Sequence, residues 1–255
     1  MSSKNVIRVL VPGDDLDNEA IAQAISLGIE LSKKSAAEID GVVIFVPTKG
    51  NIKHSSLEAV LGEKITNTLY KSDEVKLHSD ITLRIETIRT FKAAYKKYIV
   101  VVIYADAKMM DQVDAMPNLH TIIAVPHISG ALEAWSKTWA PNTLGEDSNT
   151  DNTIIADAII VSALSSLTSS INLSGSILHP RDKEHADNTV RILRRNNHSE
   201  EPSNVRAWAI KNGWNPKAAD ELKKIWDKIY KLKSKPSIKD TIQAKKSYEY
   251  WVSKK

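Results

Sequence analysis

The sequence predicts an α/β protein, with an N-terminal doubly wound, Rossmann-like domain built on a mostly parallel five-stranded sheet, followed by an all-helical, basic C-terminal domain. Three observations carry this expectation. Short aliphatic runs alternate with helical patterns over the first 145 residues, the arrangement of successive βαβ units. The run IVVVIY at 99–104 is almost continuously apolar and β-branched, as a strand covered on both faces at the centre of a parallel sheet must be. Beyond the polar, turn-rich stretch at 142–152 the strand patterns stop and only helical periodicity remains. The expected domains are 1–145 and 146–255, the second containing a basic helix-turn-helix-like hairpin at about 203–233.

Taken in order, the first strand is expected at 5–11, where Pro12-Gly13 ends it. Ala20, Ile21, Ala24, Ile25, Gly28 and Leu31 then recur at helical spacing, with acids before them and Lys33 and Lys34 after, as the helix dipole favours. A second strand at 39–46 stops at Pro47, and one helix is expected over 55–69. Strands follow at 81–88, 99–104 and 121–125, separated by short helices at 91–97 and 106–113, with a further helix at 130–139. Analogy with nucleotide-binding sheets suggests the strand order 3-2-1-4-5. In the C-terminal part, helices are expected at 153–173, with Gly175 as the stop, and from Pro180 to about Arg195. Two more, at 205–212 and 216–230, flank Gly213, and the tail is either helical after Pro236 or disordered.

Composition narrows the chemistry. The 255 residues contain no cysteine, which excludes disulfides, thiolate catalysis and cysteine-ligated metals. No apolar run approaches the roughly 18 residues of a membrane-spanning helix, and the opening residues do not read as a signal sequence. A cytoplasmic protein without membrane attachment is therefore expected. The net charge of +4 is unevenly distributed. Residues 203–255 carry about +9 and the rest of the chain about −5.

Three groups of residues are candidates for function. In open α/β sheets, ligands bind outside the carboxyl ends of the strands. The loops expected there hold Gly13, Asp14 and Asp15, then Thr48, Lys49 and Gly50, then Asp106 and Lys108, then His127 and Ser129. No glycine-rich phosphate loop is present, and the three acids after the first strand would repel a phosphate unless a divalent cation lay between them. Helix capping accounts for those acids more simply, so no cofactor and no metal site is expected. A divalent metal belongs only to an alternative reading in which Asp14, Asp15 and Asp106 serve a nucleotide hydrolase or nuclease.

The second group is Ser174, Ser176, His179, Arg181 and Asp182. Its Ser–His–Asp content suggests catalysis, but triads are assembled from distant segments, and a helix stop followed by a proline-led helix start explains the same residues. It is read as an interdomain or partner loop. The third group is Lys217, Lys223, Lys224, Lys228 and Lys231 on the hairpin's second helix, a surface for nucleic acid or an acidic protein. The stretch Arg206-Ala-Trp208-Ala-Ile-Lys-Asn212-Gly213 resembles the opening of the DNA-binding module of nucleoid-bridging silencer proteins. The arginine loop of that family is not matched, since Asn215-Pro216-Lys217 stands in its place. The function expected is that of a non-catalytic binding or accessory protein. Its sheet domain takes a small ligand or protein partner, and its helical domain takes a second partner. A structural subunit of a larger assembly is the remaining alternative.

Overall fold

The computed structural model describes residues 6–71, 73–78, 80–91, 97–146, 153–173, 175 and 178–255. Two compact units divide the chain between Thr150 and Asp151. The first is mixed α/β with a mostly parallel sheet. The second is helical from residue 158 onward.

The sheet has seven strands: β1 (Ile7–Leu10), β2 (Ile39–Phe45), β3 (Val75–His78), β4 (Ile81–Glu86), β5 (Lys97–Ala105), β6 (Leu119–Pro126) and β7 (Asn142–Thr143). Their spatial order is β3-β4-β2-β5-β6-β1-β7, and all neighbours are parallel except the antiparallel pair β3 and β4. The expected count of five is thus corrected to seven. The two extra strands are a four-residue edge strand and a two-residue one, too short to leave a clear alternation. The expected order is also corrected. β5 does lie at the centre, but β1 is displaced to a place between β6 and β7. The reason is visible in the strands themselves. β5 is buried along nearly its whole length, whereas β1 spans four residues, leaves Ile7 45% exposed and carries Arg8.

Alternation along the central strands divides the core into two layers. Val42, Ile44, Ile99, Val101 and Ile103 face one layer with Ile21, Ala24 and Ile25 of α1 (Asn18–Lys34). Leu57 of α2 (Ser56–Leu61) and Leu69 of α3 (Glu63–Tyr70) belong to the same layer. Val43, Phe45, Val100 and Val102 face the other layer with Met109, Met110 and Val113 of α4 (Ala107–Asp114) and Trp135 of α5 (Glu133–Trp139). The single helix expected over 55–69 is two helices. Gly62 takes φ +80 between them, a conformation open to glycine and costly for other residues.

Arg8 is accommodated inside this unit by several partners, among them the Val6 carbonyl, to which it donates at 3.1 Å. Its guanidinium donates to Asp114 Oδ1 at 2.8 and 3.0 Å and lies 3.7 Å from the centre of the Trp139 ring. The Trp135 indole donates to the other Asp114 oxygen at 2.8 Å. Burial pushes the Asp114 carboxyl above its ordinary value, against the pull of Arg8 and Trp135.

The helical unit comprises α6 (Ala158–Ser170), α7 (Pro180–Arg195), α8 (Pro202–Lys211), α9 (Pro216–Tyr230) and α10 (Thr241–Ser253). The helix expected at 153–173 is shorter at both ends. Asp157 caps its start, and it ends at Ser170 rather than at Leu173. Helices α8 and α9 pack together as a hairpin. Its turn is a Schellman motif in which Gly213 N–H donates to Ile210 and Trp214 N–H to Ala209, with Gly213 at φ +90. Trp226 is fully buried, stacks on Tyr230 at 5.1 Å and donates to the Glu200 carbonyl. The Trp214 indole donates to Thr168 of α6 at 2.9 Å. The tail is the helix α10, capped by Asp240.

Candidate functional site

Strand order reverses between β2 and β5. The chain leaves β2 for β4 on one side and returns to β5 on the other. Helices therefore leave the neighbouring strand ends on opposite faces, and a crevice opens between them. Here it has a volume of about 510 Å³, within the range of small-molecule sites. Its walls come from the ends of four strands: Asp15 after β1, Pro47 after β2, Tyr104 and Asp106 at the end of β5, and His127 after β6. Gly50, Lys53 and His54 complete the rim.

Of the residues singled out in the sequence, the structure brings Asp15, Gly50, Asp106 and His127 to this one crevice. Asp15 Oδ2 lies 2.8 Å from His127 Nδ1, and Asp15 N–H donates to the His127 carbonyl at 3.3 Å. Two loops from adjacent strands are thereby fastened together. When His127 Nδ1–H donates to the carboxylate, Nε2 is left as an acceptor. The side chain is 53% exposed. Asp106 caps α4 by accepting from Met109 N–H at 2.7 Å.

The other candidates are structural neighbours of the crevice. Asp14 closes a turn by accepting from Leu16 N–H at 3.0 Å, and Asp17 caps α1. Gly13 has φ +137, and a Cβ there would stand 2.7 Å from Ala20 Cβ, so the tight turn before α1 requires its bare backbone. Thr48 caps a short 3₁₀ turn at Lys49–Asn51 through a reciprocal bond with Asn51. Among the described residues, no three of His, Cys, Asp and Glu group as a metal-holding set. Asp14 and Asp106 cap separate segments, and Asp15 faces His127.

Lys53, His54 and Tyr104 were missed at the sequence level. Lys53 Nζ lies 4.6 Å from the centre of the Tyr70 ring. His54 and Tyr104 have φ +57 and +63, in the left-handed region. That conformation is uncommon for any residue with a side chain and an outlier for a bulky one. The ladder between β5 and β6 slips in register between Val102 and Ala105, a bulge that re-aims the strand end. The Tyr104 hydroxyl is buried without a hydrogen-bond partner among the described residues. A register slip, a strained backbone and an unsatisfied phenol thus coincide at the crevice, the kind of local cost that clusters at functional sites.

In the second candidate group, His179 caps α7 and Asp182 accepts from Asn172 N–H at 3.4 Å. Arg181 is exposed. Ser174 and Ser176 lie outside the described residues.

In the third group, Lys217, Lys223, Lys224 and Lys228 are exposed on α9, and Lys231 is exposed at its C-cap. They lie opposite a buried stripe of Ala218, Ala219, Leu222, Trp226 and Ile229. The acids of this helix are all paired: Asp220 with Arg206 at 2.6 Å, Glu221 with Lys183 at 2.8 Å, and Asp227 with Lys231 at 2.6 Å. Glu221 also accepts from Leu178 N–H. Burial raises its carboxyl, but the Lys183 and Leu178 bonds outweigh this and leave it below the ordinary value.

The helical unit also holds a chain of polar groups that the sequence did not suggest. His198 Nδ1 lies 2.6 Å from Asp157 Oδ2, and Nε2 lies 3.0 Å from the Tyr248 hydroxyl. The Tyr230 hydroxyl donates to the His198 carbonyl. The His198 side chain is only 14% exposed. Burial works to raise the Asp157 carboxyl, and the bonds from His198, Ile159 and Ile160 overcome it and hold it below the ordinary Asp value.

The helical unit matches a family model described as a domain of unknown function (DUF1889) over residues 156–252, the span of α6 to α10. No curated protein and no solved structure matches the chain. Among the described residues, no helix is long and apolar enough to cross a membrane.

Proposed function

We propose that this chain is a non-catalytic binding or accessory protein of the cytoplasm, with two binding units. The sheet unit holds a small polar ligand, or a polar side chain of a protein partner, in the crevice at the reversal of strand order. The helical unit contacts a second, acidic partner through α9. The observation that carries this reading is the convergence of Asp15, Asp106 and His127 from three strand ends on one crevice, with strained His54 and Tyr104 on its rim. Acceptors stand on the β1, β5 and β6 side, and the Lys53 ammonium stands on the β2 side. That division suits a ligand carrying both donor groups and an anionic or acceptor group.

The metal-dependent hydrolase reading draws no support from this geometry, because each of its three carboxylates has a local task. The reading as a purely structural subunit leaves the strain at Tyr104 and His54 without a purpose.

The experiment is a screen of small polar fragments against the ¹⁵N-labelled chain by NMR. The expected result is that binding fragments shift the amides of Asp15, Lys53, Asp106 and His127 together. Fragments that perturb only other surfaces, or none that bind, would count against the reading.

A further inference from the structure

The lysine face of α9 has a pattern that selects among acidic partners. At 100° per residue, Lys217, Lys224, Lys228 and Lys231 fall within about 60° around the helix axis, and from first to last they span about 21 Å along it. Lys223 stands on the flank of this row. Once Asp220, Glu221 and Asp227 are matched with Arg206, Lys183 and Lys231, the charges of Lys217, Lys223, Lys224 and Lys228 remain. None of those four makes an ion pair with a described residue, and all are exposed. The face is therefore a straight, net positive row whose own acids are already neutralised.

The residue types decide what such a row fits. Protein interfaces take their energy from aromatic residues and arginine, and lysine is depleted in them. Here Trp208, Trp214 and Trp226 are buried in the unit's interior and Arg206 is engaged by Asp220, so the face offers no anchor of that kind. Single-stranded nucleic acid needs exposed aromatic rings on which bases stack, and the row has none among its residues. Base reading in a groove relies on the arginine fork or on amide side chains, whereas an ammonium acts on phosphate as a point charge. Phosphates of a duplex form a regular line of fixed charge, and their neutralisation releases condensed counterions whatever the sequence.

From this we infer that α9 binds the phosphodiester backbone of double-stranded nucleic acid, without sequence preference, through Lys217, Lys224 and Lys228, with Lys223 at the flank. The inference rests on the two-unit reading above and names the partner of its helical unit.

The test is fluorescence anisotropy of the full chain with labelled duplexes of ~20 base pairs, as DNA and as RNA, between about 50 and 200 mM salt. Two unrelated sequences should bind equally well. The log–log salt slope should be about 3, as expected for three or four neutralised phosphates at about 0.9 each. Lys217→Glu combined with Lys224→Glu and Lys228→Glu should abolish binding, and circular dichroism should show an unchanged fold. Lys33→Glu with Lys34→Glu, on the sheet unit, should leave binding intact. A triple variant that fails to fold is replaced by the single reversals, each of which should lower the affinity and the salt slope. No binding of either duplex at about 50 mM salt would overturn the inference. So would preference for single strands, or affinity indifferent to reversal of these lysines. Loss of ligand from the crevice would leave all of these results unchanged, so the two proposals fail separately.

Discussion

Arg8 lies in a strand, where its guanidinium is cut off from water, and Asp114, Trp135 and Trp139 replace the solvent it has lost. Removing one member of a buried pair leaves the other uncompensated, which is costlier than removing both. Arg8→Met should therefore lower the stability of the sheet unit by about 3–5 kcal/mol in urea unfolding, and a loss below about 1 kcal/mol would show that the pair is not buried as described. Tyr104 poses the opposite case. Its hydroxyl is buried without a partner among the described residues, and leaving a polar group unsatisfied costs about 1–3 kcal/mol. Tyr104→Phe should raise the melting temperature of the free chain, and a lower one would mean that the hydroxyl has a partner in solution. Neither residue announced its role in the sequence. Arg8 could have warned that the first strand is not central, since a charge is rarely placed on both-face-buried strands. Tyr104 carries no sequence signal at all, because its backbone conformation is imposed by the register slip at the end of β5.

At the scale of elements, hydrophobic periodicity made most of the architecture legible. The continuous apolar run of β5 identified the central strand, and proline at 180 and 216 and glycine at 213 marked the helix ends. The boundaries missed are those set by local backbone geometry, as at Gly62, or by strands of two to four residues that borrow their stability from a neighbour. The chain from Asp157 through His198 to Tyr248 was also invisible, because its members are far apart in sequence and meet only when α6, the loop after α7, and α10 are packed. It has a consequence for acid stability. The carboxyls of Asp157 and Glu221 are held below their ordinary values of 3.8 and 4.5. A depressed carboxylate contributes stability that is fully present above its unfolded value and is lost as pH falls through its folded one. The helical unit should accordingly keep its stability down to about pH 4.5 and lose it progressively below pH 4. His198→Gln should flatten that acid limb in pH-dependent melting. An unchanged acid limb would mean that the His198 bond does not hold Asp157.

For the whole molecule, the strand-end site was partly legible because the rule for open α/β sheets depends on topology rather than on particular residues. It pointed to Asp15, Gly50, Asp106 and His127, which share the crevice. It also pointed to Asp14, Thr48 and Lys49, which shape the adjoining turns. The mistaken strand order did little harm, because the carboxyl ends of parallel strands lie at one edge in either order. The charge asymmetry was legible as composition, but only the structure shows that three acids of α9 are paired and that a row of lysines is left. In the proposed function the Asp15–His127 pair forms part of a ligand site. Its most direct test is calorimetric titration of the fragment that most strongly perturbs the crevice, into the wild-type chain and into His127→Gln and Asp15→Asn. Each substitution should weaken binding about tenfold, or about 1.4 kcal/mol, with the melting temperature little changed. Affinity equal to wild type in both variants would contradict it.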